Sequence, residues 1–280
     1  MFIFKTVEDV AGYLRKHGEA GGAIGFIPTM GALHQGHLSL IRAAQQEKMF
    51  TVCSIFVNPT QFNNPTDLEK YPRTIEQDIE MLTGAGCDVL FLPEEKEIYP
   101  EGKTLREPYD LGQLDTVLEG AYRPGHFQGV AQVVDRLLQI VRPDKLYLGQ
   151  KDFQQCAVLK KLIAVKHPST QLEVVPTMRE ADGLAMSSRN RRLTEPQRNI
   201  AGLIYQCLVS IQTKKGMQAF PIVQKECLDI LTRKGFRPEY IELLDADTLE
   251  QLPDYDLSRN MIALIAAYIG DIRLIDNLEL

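Results

Sequence analysis

Short apolar runs alternate with segments of helical period along most of the chain. The runs are "AIGFIP" (23–28), "TVCSIFV" (51–57), "DVLFLP" (88–93), "KLYLG" (145–149) and "LEVVP" (172–176). Each has strand length and is bounded by glycine, proline or polar residues. The clearest helical segment carries Val130, Val133, Val134, Leu137, Leu138 and Val141, a spacing that lines one helix face. The opening "MFIFKTVEDVAGYLRKHG" reads as a strand followed by an amphipathic helix. Strands alternating with helices predict an α/β fold, a parallel doubly wound sheet covered on both sides. Beyond residue 185 the order changes. Helical stretches at 195–213 and 218–234 precede three strand-like segments, "EYIELLDADTL", "MIALIAAYIG" and "IRLIDN", the pattern of a smaller α+β unit. The expected domains are therefore 1–185 and 186–280, joined at "READGLAMSSRN".

Length and composition fit this organisation. At 280 residues, with 44% hydrophobic and 24% charged side chains, the chain is long enough for two domains and is neither disordered nor of low complexity. A net charge of -6 argues against a general nucleic-acid coat, which needs a dense basic surface, but leaves room for basic groups that converge locally on an anion. Cysteines 53, 87, 156, 207 and 227 have no CxxC spacing. An odd, scattered set fits reduced thiols and a cytoplasmic location. The start has no basic segment leading into a long apolar run, and no stretch has the length of a membrane span, so a soluble protein is expected.

In an open parallel sheet, ligands bind beyond the carboxyl ends of the strands. Three polar motifs are expected there: "PTMGALHQGH" (28–37), "NPTQFNNP" (58–65) and "GQKD" (149–152). In the first, Gly31 and Gly36 allow close backbone approach around His34 and His37, just before a plausible helix. A helix N-terminus with two imidazoles suits the phosphates of a nucleoside triphosphate. The same residues read alone also describe a glycine turn capped by histidine. A zinc site is the weaker reading, because only His17, His126 and His167 remain to supply nitrogen. Lys151 and Asp152 open the helix after the strand ending at Gly149, where lysine is either a point charge for phosphate or a solvated side chain. "MSSRN" (186–190) offers two hydroxyls and a guanidinium, or a serine-rich turn. Asn58 and Gln61 could orient a polar substrate or form an Asn-Pro turn. Glu119, Arg123 and His126, ahead of a helix expected to begin near Gly129, could line a site or form a surface ion pair. The chain lacks GxGxxG, GxxxxGK[ST] and GxSxG, which argues against a dinucleotide enzyme, a Walker-type ATPase and a serine hydrolase.

Taken in order, "PTMGALHQGH", "SIFVNPTQF", "YPRT", "LEGAYRPGHFQGV", "GQKDFQQ", "READGLAMSSRN" and "GDIRLIDN" closely resemble the motifs of the pantothenate synthetase family, the ATP-dependent pantoate:β-alanine ligases. The resemblance runs from the first strand to the C-terminus. It implies a Rossmann-like catalytic domain of the HIGH-motif nucleotidyltransferase superfamily, a smaller C-terminal lid domain and a cytoplasmic homodimer. It implies that pantoate attacks the α-phosphate of ATP, with Mg2+ on the phosphates, to give pantoyl adenylate and pyrophosphate, and that β-alanine then displaces AMP. Carried over by position, Met30, Gly31, Ala32, Leu33, His34, Gln35, Gly36 and His37 would line the ATP site, with His37 as proton donor. Gly149, Gln150, Lys151, Asp152, the backbone at Met178, and Met186, Ser187, Ser188 and Arg189 would complete it. Gln61 would contact pantoate and β-alanine, and Gln155 would hold pantoate. Asn58, Glu119 and Arg123 would be further polar lining. Two positions depart from the family's usual wording: Thr60 replaces methionine and Gln150 replaces glutamate.

The chemistry asks for such groups. Adenylation gives the carboxylate a good leaving group and concentrates charge on phosphate, so fixed donors must meet that charge as it develops. His34, His37, Lys151, Ser187, Ser188 and Arg189 are the candidate catalytic set. No side chain stands out as the base for the amine step or as a ligand of Mg2+, which commonly keeps phosphate and water oxygens. "NNPTDLEKYP" (63–72) and "MSSRN" are candidates to close over the adenylate. A nucleotidylyltransferase and a non-catalytic nucleotide sensor are the rival readings; amine-dependent release of AMP separates both from a ligase.

Overall fold

The computed structural model describes residues 1–280. Its strands are β1 (Phe2–Phe4), β2 (Ile24–Thr29), β3 (Phe50–Ile55), β4 (Val89–Phe91), β5 (Lys145–Gly149), β6 (Gln171–Val175), β7 (Phe236–Asp245), β8 (Met261–Ile269) and β9 (Ile272–Glu279). The α-helices are α1 (Val7–Glu19), α2 (Gln35–Gln46), α3 (Pro65–Glu69), α4 (Ile75–Gly84), α5 (Glu95–Ile98), α6 (Glu119–Tyr122), α7 (His126–Val141), α8 (Phe153–Lys166), α9 (Glu195–Ala201), α10 (Leu203–Thr213) and α11 (Phe220–Arg233). No helix is long and apolar enough to cross a membrane.

The chain divides into two compact units, Met1–Gly149 with Gln154–Pro176, and Thr177–Leu280 with Gln150–Phe153. In the first, six strands form a parallel sheet in the order β1-β4-β3-β2-β5-β6. The period of two along each strand sends Phe26, Val52, Val89, Phe91, Leu146 and Leu148 to one apolar cluster. Ile27, Cys53, Leu90 and Tyr147 go to another. Val10 and Leu14 of α1, Val134 and Leu138 of α7, and Leu159 and Leu162 of α8 join the first cluster. Leu38 and Ile41 of α2 and Leu82 of α4 join the second. In β2 to β5, burial on both faces explains why the strands read as nearly continuous apolar runs, whereas the edge strands β1 and β6 have no buried residue. Strands proceed outward from β2 through β3 to β4, and β5 then lies on the other side of β2. The carboxyl ends of β2 and β5 therefore flank the point where strand order reverses, the crevice in which such sheets bind ligands.

The second unit is an antiparallel sheet, β7-β8-β9, with α9, α10 and α11 on it. Leu208, Ile211, Val223 and Leu231 pack with Leu243, Ala263 and Ile265.

Three local boundaries differ from the expectation. The helix predicted over 195–213 is broken at Gly202, where a Cβ would come within 2.9 Å of the Asp182 carbonyl oxygen. β7 stops at Asp245 because that carboxylate takes the N–H groups of Asp247 (3.0 Å) and Thr248 (2.9 Å) and turns the chain. The division between units falls after Pro176 rather than at 185/186. Arg179 onward is tied to β9, with Arg179 paired to Asp276 at 2.6 and 3.1 Å.

None of the five cysteines is in a disulfide, and all are buried. Burial pushes the Cys87 thiol up to about 11, the opposite of what a nucleophile needs.

Candidate active site

The "PTMGALHQGH" segment leaves the carboxyl end of β2 and enters α2, as its glycines and histidines predict. Gly31 has φ +79° and Ala32 has φ +50°, so two consecutive residues lie in the left-handed region. Asp78, on α4 and fully buried, holds this turn: its carboxylate accepts the Ala32 N–H at 2.9 Å and the Leu33 N–H at 2.8 Å. The Thr74 hydroxyl donates to the same carboxylate at 3.1 Å. Those two backbone N–H groups are thus engaged within the protein and are not part of a donor set for ligand. Nothing in "RTIEQDIEML" announces this role, because an aspartate in an amphipathic helix reads as solvated.

His34 is the N-cap of α2, and its Nδ1 accepts the Gly36 N–H at 3.1 Å. His37 completes a capping box in the other direction, its Nδ1 accepting the His34 N–H at 3.3 Å. The rings lie 4.0 Å apart between centroids. A nitrogen that accepts carries no hydrogen, so both imidazoles are held as the tautomer protonated on Nε2. Two N–H donors and the positive end of α2 therefore occur together. Turn capping and anion binding, separate readings of the sequence, are compatible here, since capping uses Nδ1 and leaves the donor role to Nε2.

The "NPTQF" segment follows β3 and is built around Asn58, which is 1% exposed. Its Nδ2 donates to Gln61 Oε1 (3.0 Å) and to the Gly129 carbonyl (3.1 Å). Its Oδ1 accepts from the Tyr99 hydroxyl (2.7 Å) and the Thr60 hydroxyl (3.1 Å). Burial pushes the Tyr99 phenol up to about 12, so it stays a donor. Thr60, the departure from the family's wording, is thereby built into the network. Gln61 Nε2 reaches Met30 Sδ at 3.3 Å, linking this loop to the turn after β2.

α7 starts at His126, a turn earlier than expected, and presses directly on the loop. A Cβ at Gly129 would lie 2.3 Å from the Thr60 carbonyl oxygen. His126, 5% exposed, has Nδ1 2.8 Å from the Gln61 carbonyl and Nε2 3.0 Å from Arg123 Nη1. A carbonyl only accepts and a guanidinium only donates, so His126 is neutral with its proton on Nδ1, the opposite tautomer to His34 and His37. Arg123 also pairs with Glu119 at 3.5 Å, both largely buried, so this is no surface ion pair. On α8, Gln154 is consumed internally by Glu119 N–H (3.0 Å) and the Leu114 (2.8 Å) and Val117 (2.9 Å) carbonyls. Its neighbour Gln155 is half-buried.

In the second unit, Gln150–Asp152 form a 3-10 turn, and α8 proper begins at Phe153 rather than at Lys151. The Lys151 ammonium lies 3.5 Å from Asp152 Oδ1 and its side chain is 17% exposed. Residues 179–185 make a short hairpin, closed by Glu180 N–H to the Leu184 carbonyl at 2.8 Å; Met186 N–H donates to the Met178 carbonyl at 2.9 Å. Ser187 caps the turn Ser188–Arg192, accepting the Arg189 N–H at 3.3 Å, and Ser188 is buried. The loop is thus ordered around its hydroxyls and arginine. No three His, Cys, Asp or Glu side chains converge on a metal position.

Comparison with known proteins agrees with this geometry. The family model described as pantoate-beta-alanine ligase matches residues 2–279. The pantothenate synthetase of Cytophaga hutchinsonii is 43% identical over 99% of both chains. That of Pseudomonas fluorescens is 45% identical over 99% of this chain and 96% of its own. The crystal structure of the Thermus thermophilus pantothenate synthetase superposes with a TM-score of 0.91 at 38% identity, covering 99% of each chain. A Francisella tularensis pantoate-beta-alanine ligase, crystallised with beta-gamma ATP and beta-alanine, gives 0.83 at 39% identity, over 99% of this chain and 97% of that one. Two-domain fold, motif order and full-length similarity together make this chain a member of the pantoate-beta-alanine ligase family.

Proposed function

We propose that the chain condenses pantoate with β-alanine at the expense of ATP, through pantoyl adenylate, releasing pyrophosphate and then AMP. The observation that carries this reading is the two-histidine capping box. It joins two Nε2–H donors to the N-terminus of α2, next to the strand-order reversal of the sheet. His34 and His37 donate to the phosphates as the pantoate carboxylate attacks the α-phosphorus and negative charge grows on the departing pyrophosphate. Lys151, Ser187, Ser188 and Arg189 supply the remaining donors. Such preorganised groups stabilise developing charge without reorganising during the step. His37, with its hydrogen on Nε2, is assigned the proton-donor role as a hydrogen-bond donor to phosphate; the departing phosphate takes the proton that the β-alanine ammonium loses.

Met30, Gly31, Gln35, Gly36, Gly149, Gln150, Asp152, Met178 and Met186 are assigned to the nucleotide, with Ala32 and Leu33 contributing shape rather than N–H groups. Gln61 is assigned to pantoate and β-alanine, its amide aimed by Asn58, and Gln155 to pantoate. Phosphate and water oxygens would hold Mg2+ beside the nucleotide, where it would offset phosphate charge. The smaller unit acts as a lid, and the protein works as a cytoplasmic homodimer.

The test is pantoate-dependent exchange of labelled pyrophosphate into ATP, followed by addition of β-alanine. Exchange without the amine, and AMP with pantothenate on adding it, are the expected results. His37→Ala and Lys151→Ala each lower the exchange rate by at least about 100-fold, in the range for loss of a transition-state donor. Normal exchange in both variants would remove them from the mechanism.

A further inference from the structure

We propose that Asn277, in the closing "LIDN" of β9, is a positioning residue for Lys151, an inference that rests on the adenylation role given to that lysine above. Lys151 sits in a 3-10 turn only three residues long. Such a turn has little hydrogen bonding of its own, and the ion pair with Asp152, at 3.5 Å and with Asp152 half exposed, holds the ammonium weakly. What fixes the turn comes from far along the chain. Asn277 Nδ2 donates to the Gln150 carbonyl at 3.0 Å and to the Lys151 carbonyl at 2.9 Å, across 127 and 126 residues of sequence. One amide nitrogen thereby pins two successive peptide planes, those of the Gln150–Lys151 and Lys151–Asp152 bonds, on either side of the Lys151 Cα. The Cα–Cβ direction of Lys151 follows from those planes. The amide cannot be reversed, because its oxygen would then face two carbonyl oxygens.

Asn277 is itself held rigidly. It is 3% exposed and pairs with Leu264 in the sheet. Its N–H donates to Asp276 Oδ1 at 2.8 Å and its carbonyl accepts from Arg179 Nη2 at 3.0 Å. Arg179 grips Asp276 through two hydrogen bonds, donates to the Gly183 carbonyl at 3.0 Å, and stacks 4.0 Å from the Tyr205 ring centroid. A second tie, Gln150 Nε2 to Glu279 Oε1 at 2.8 Å, secures the turn at its other end. Gln150, the departure from the family's usual glutamate, can donate here where an ionised carboxylate could only repel Glu279. The motif that would meet phosphate is therefore braced by the last strand of the chain, and Asn277 is the joint between brace and lysine.

The experiment compares Asn277→Asp, Lys151→Ala and the double variant in pantoate-dependent pyrophosphate exchange. Asn277→Asp keeps the volume and replaces both donors with acceptors. It should lower kcat about 10- to 100-fold while KM for pantoate stays the same, as expected when a reacting group is misplaced by about 1 Å. The decisive readout is the cycle: with Lys151 already removed, Asn277→Asp should cost less than about twofold more. If the two losses multiply, Asn277 acts through something other than Lys151 and the inference falls. Normal exchange in Asn277→Asp beside a slowed Lys151→Ala overturns it as well. Normal exchange in Lys151→Ala alone instead overturns the role given to the lysine. Should the aspartate variant not fold, Asn277→Ala removes the donors without adding a charge and must give the same cycle.

Discussion

Replacing Asp78 with alanine tests whether the turn before α2 is held from α4. The wild-type carboxylate is fully buried and accepts two backbone N–H groups at 2.9 and 2.8 Å, with a hydroxyl at 3.1 Å. A hydrogen bond to a charged group contributes about 1.5–3 kcal/mol, and each buried donor left unpaired costs about 1–3 kcal/mol. Losing the acceptor for Ala32 and Leu33 therefore predicts a destabilisation of about 3–5 kcal/mol. That is a large share of the roughly 5–15 kcal/mol by which a folded domain is stable. The turn has a way to lessen the loss. Ala32 at φ +50° stores about 1–3 kcal/mol of backbone strain, and letting the turn relax releases it, at the expense of the His34 cap that follows. The two expected signatures are a lower urea midpoint at unchanged m and a fall in pyrophosphate exchange larger than the stability loss alone would produce. Asp78→Asn should lie between, since its amide oxygen can accept one N–H while its NH2 opposes the other. If Asp78→Ala loses less than about 1 kcal/mol and exchanges pyrophosphate normally, the turn is held by something else.

Two further outcomes follow from the same structure. Gly129→Ala sets a Cβ 2.3 Å from the Thr60 carbonyl and must push α7 off the loop bearing Gln61; KM for pantoate should rise at least about 10-fold, as misplacement of a binding group does, with ATP binding by titration unchanged. Acid should act through Asp135, whose carboxyl is raised by burial but lowered more by hydrogen bonds from Tyr109 (2.8 Å), His167 (2.7 Å) and Lys166 (3.2 Å), leaving it below the usual carboxylate value. A lowered folded value means its stabilisation is complete above the ordinary aspartate pKa of about 4 and disappears as pH falls through the folded value; Asp135→Asn should be less stable at neutral pH and lose less on acidification in urea titrations between pH 6 and about 3. An unchanged acid slope in that variant would remove Asp135 from the account.

Periodicity and motif order carried the reading a long way. Strands buried on both faces announce themselves as apolar runs, and β2 to β5 and β8 lie where those runs do, because such burial is written locally in every residue; the edge strand β6 falls on its run although none of its residues is buried. The candidate phosphate donors stand out in the sequence for a similar reason: a helix N-terminus, a Gly-Gln-Lys turn and a Ser-Ser-Arg loop are each made of neighbours in sequence. What sequence could not supply are contacts between residues far apart. Asp78 reads as a solvated helix charge until α4 is seen to bring it against the backbone of Ala32 and Leu33. Gly129 reads as an ordinary glycine until the Thr60 carbonyl appears beside it. The tautomers of His34, His37 and His126 depend on which carbonyl or N–H each nitrogen meets, and Asn277 acquires its two carbonyls only because β9 returns to the turn after β5. Propensity and periodicity are properties of neighbours along the chain, whereas hydrogen-bond partnership is decided by where the completed fold puts atoms.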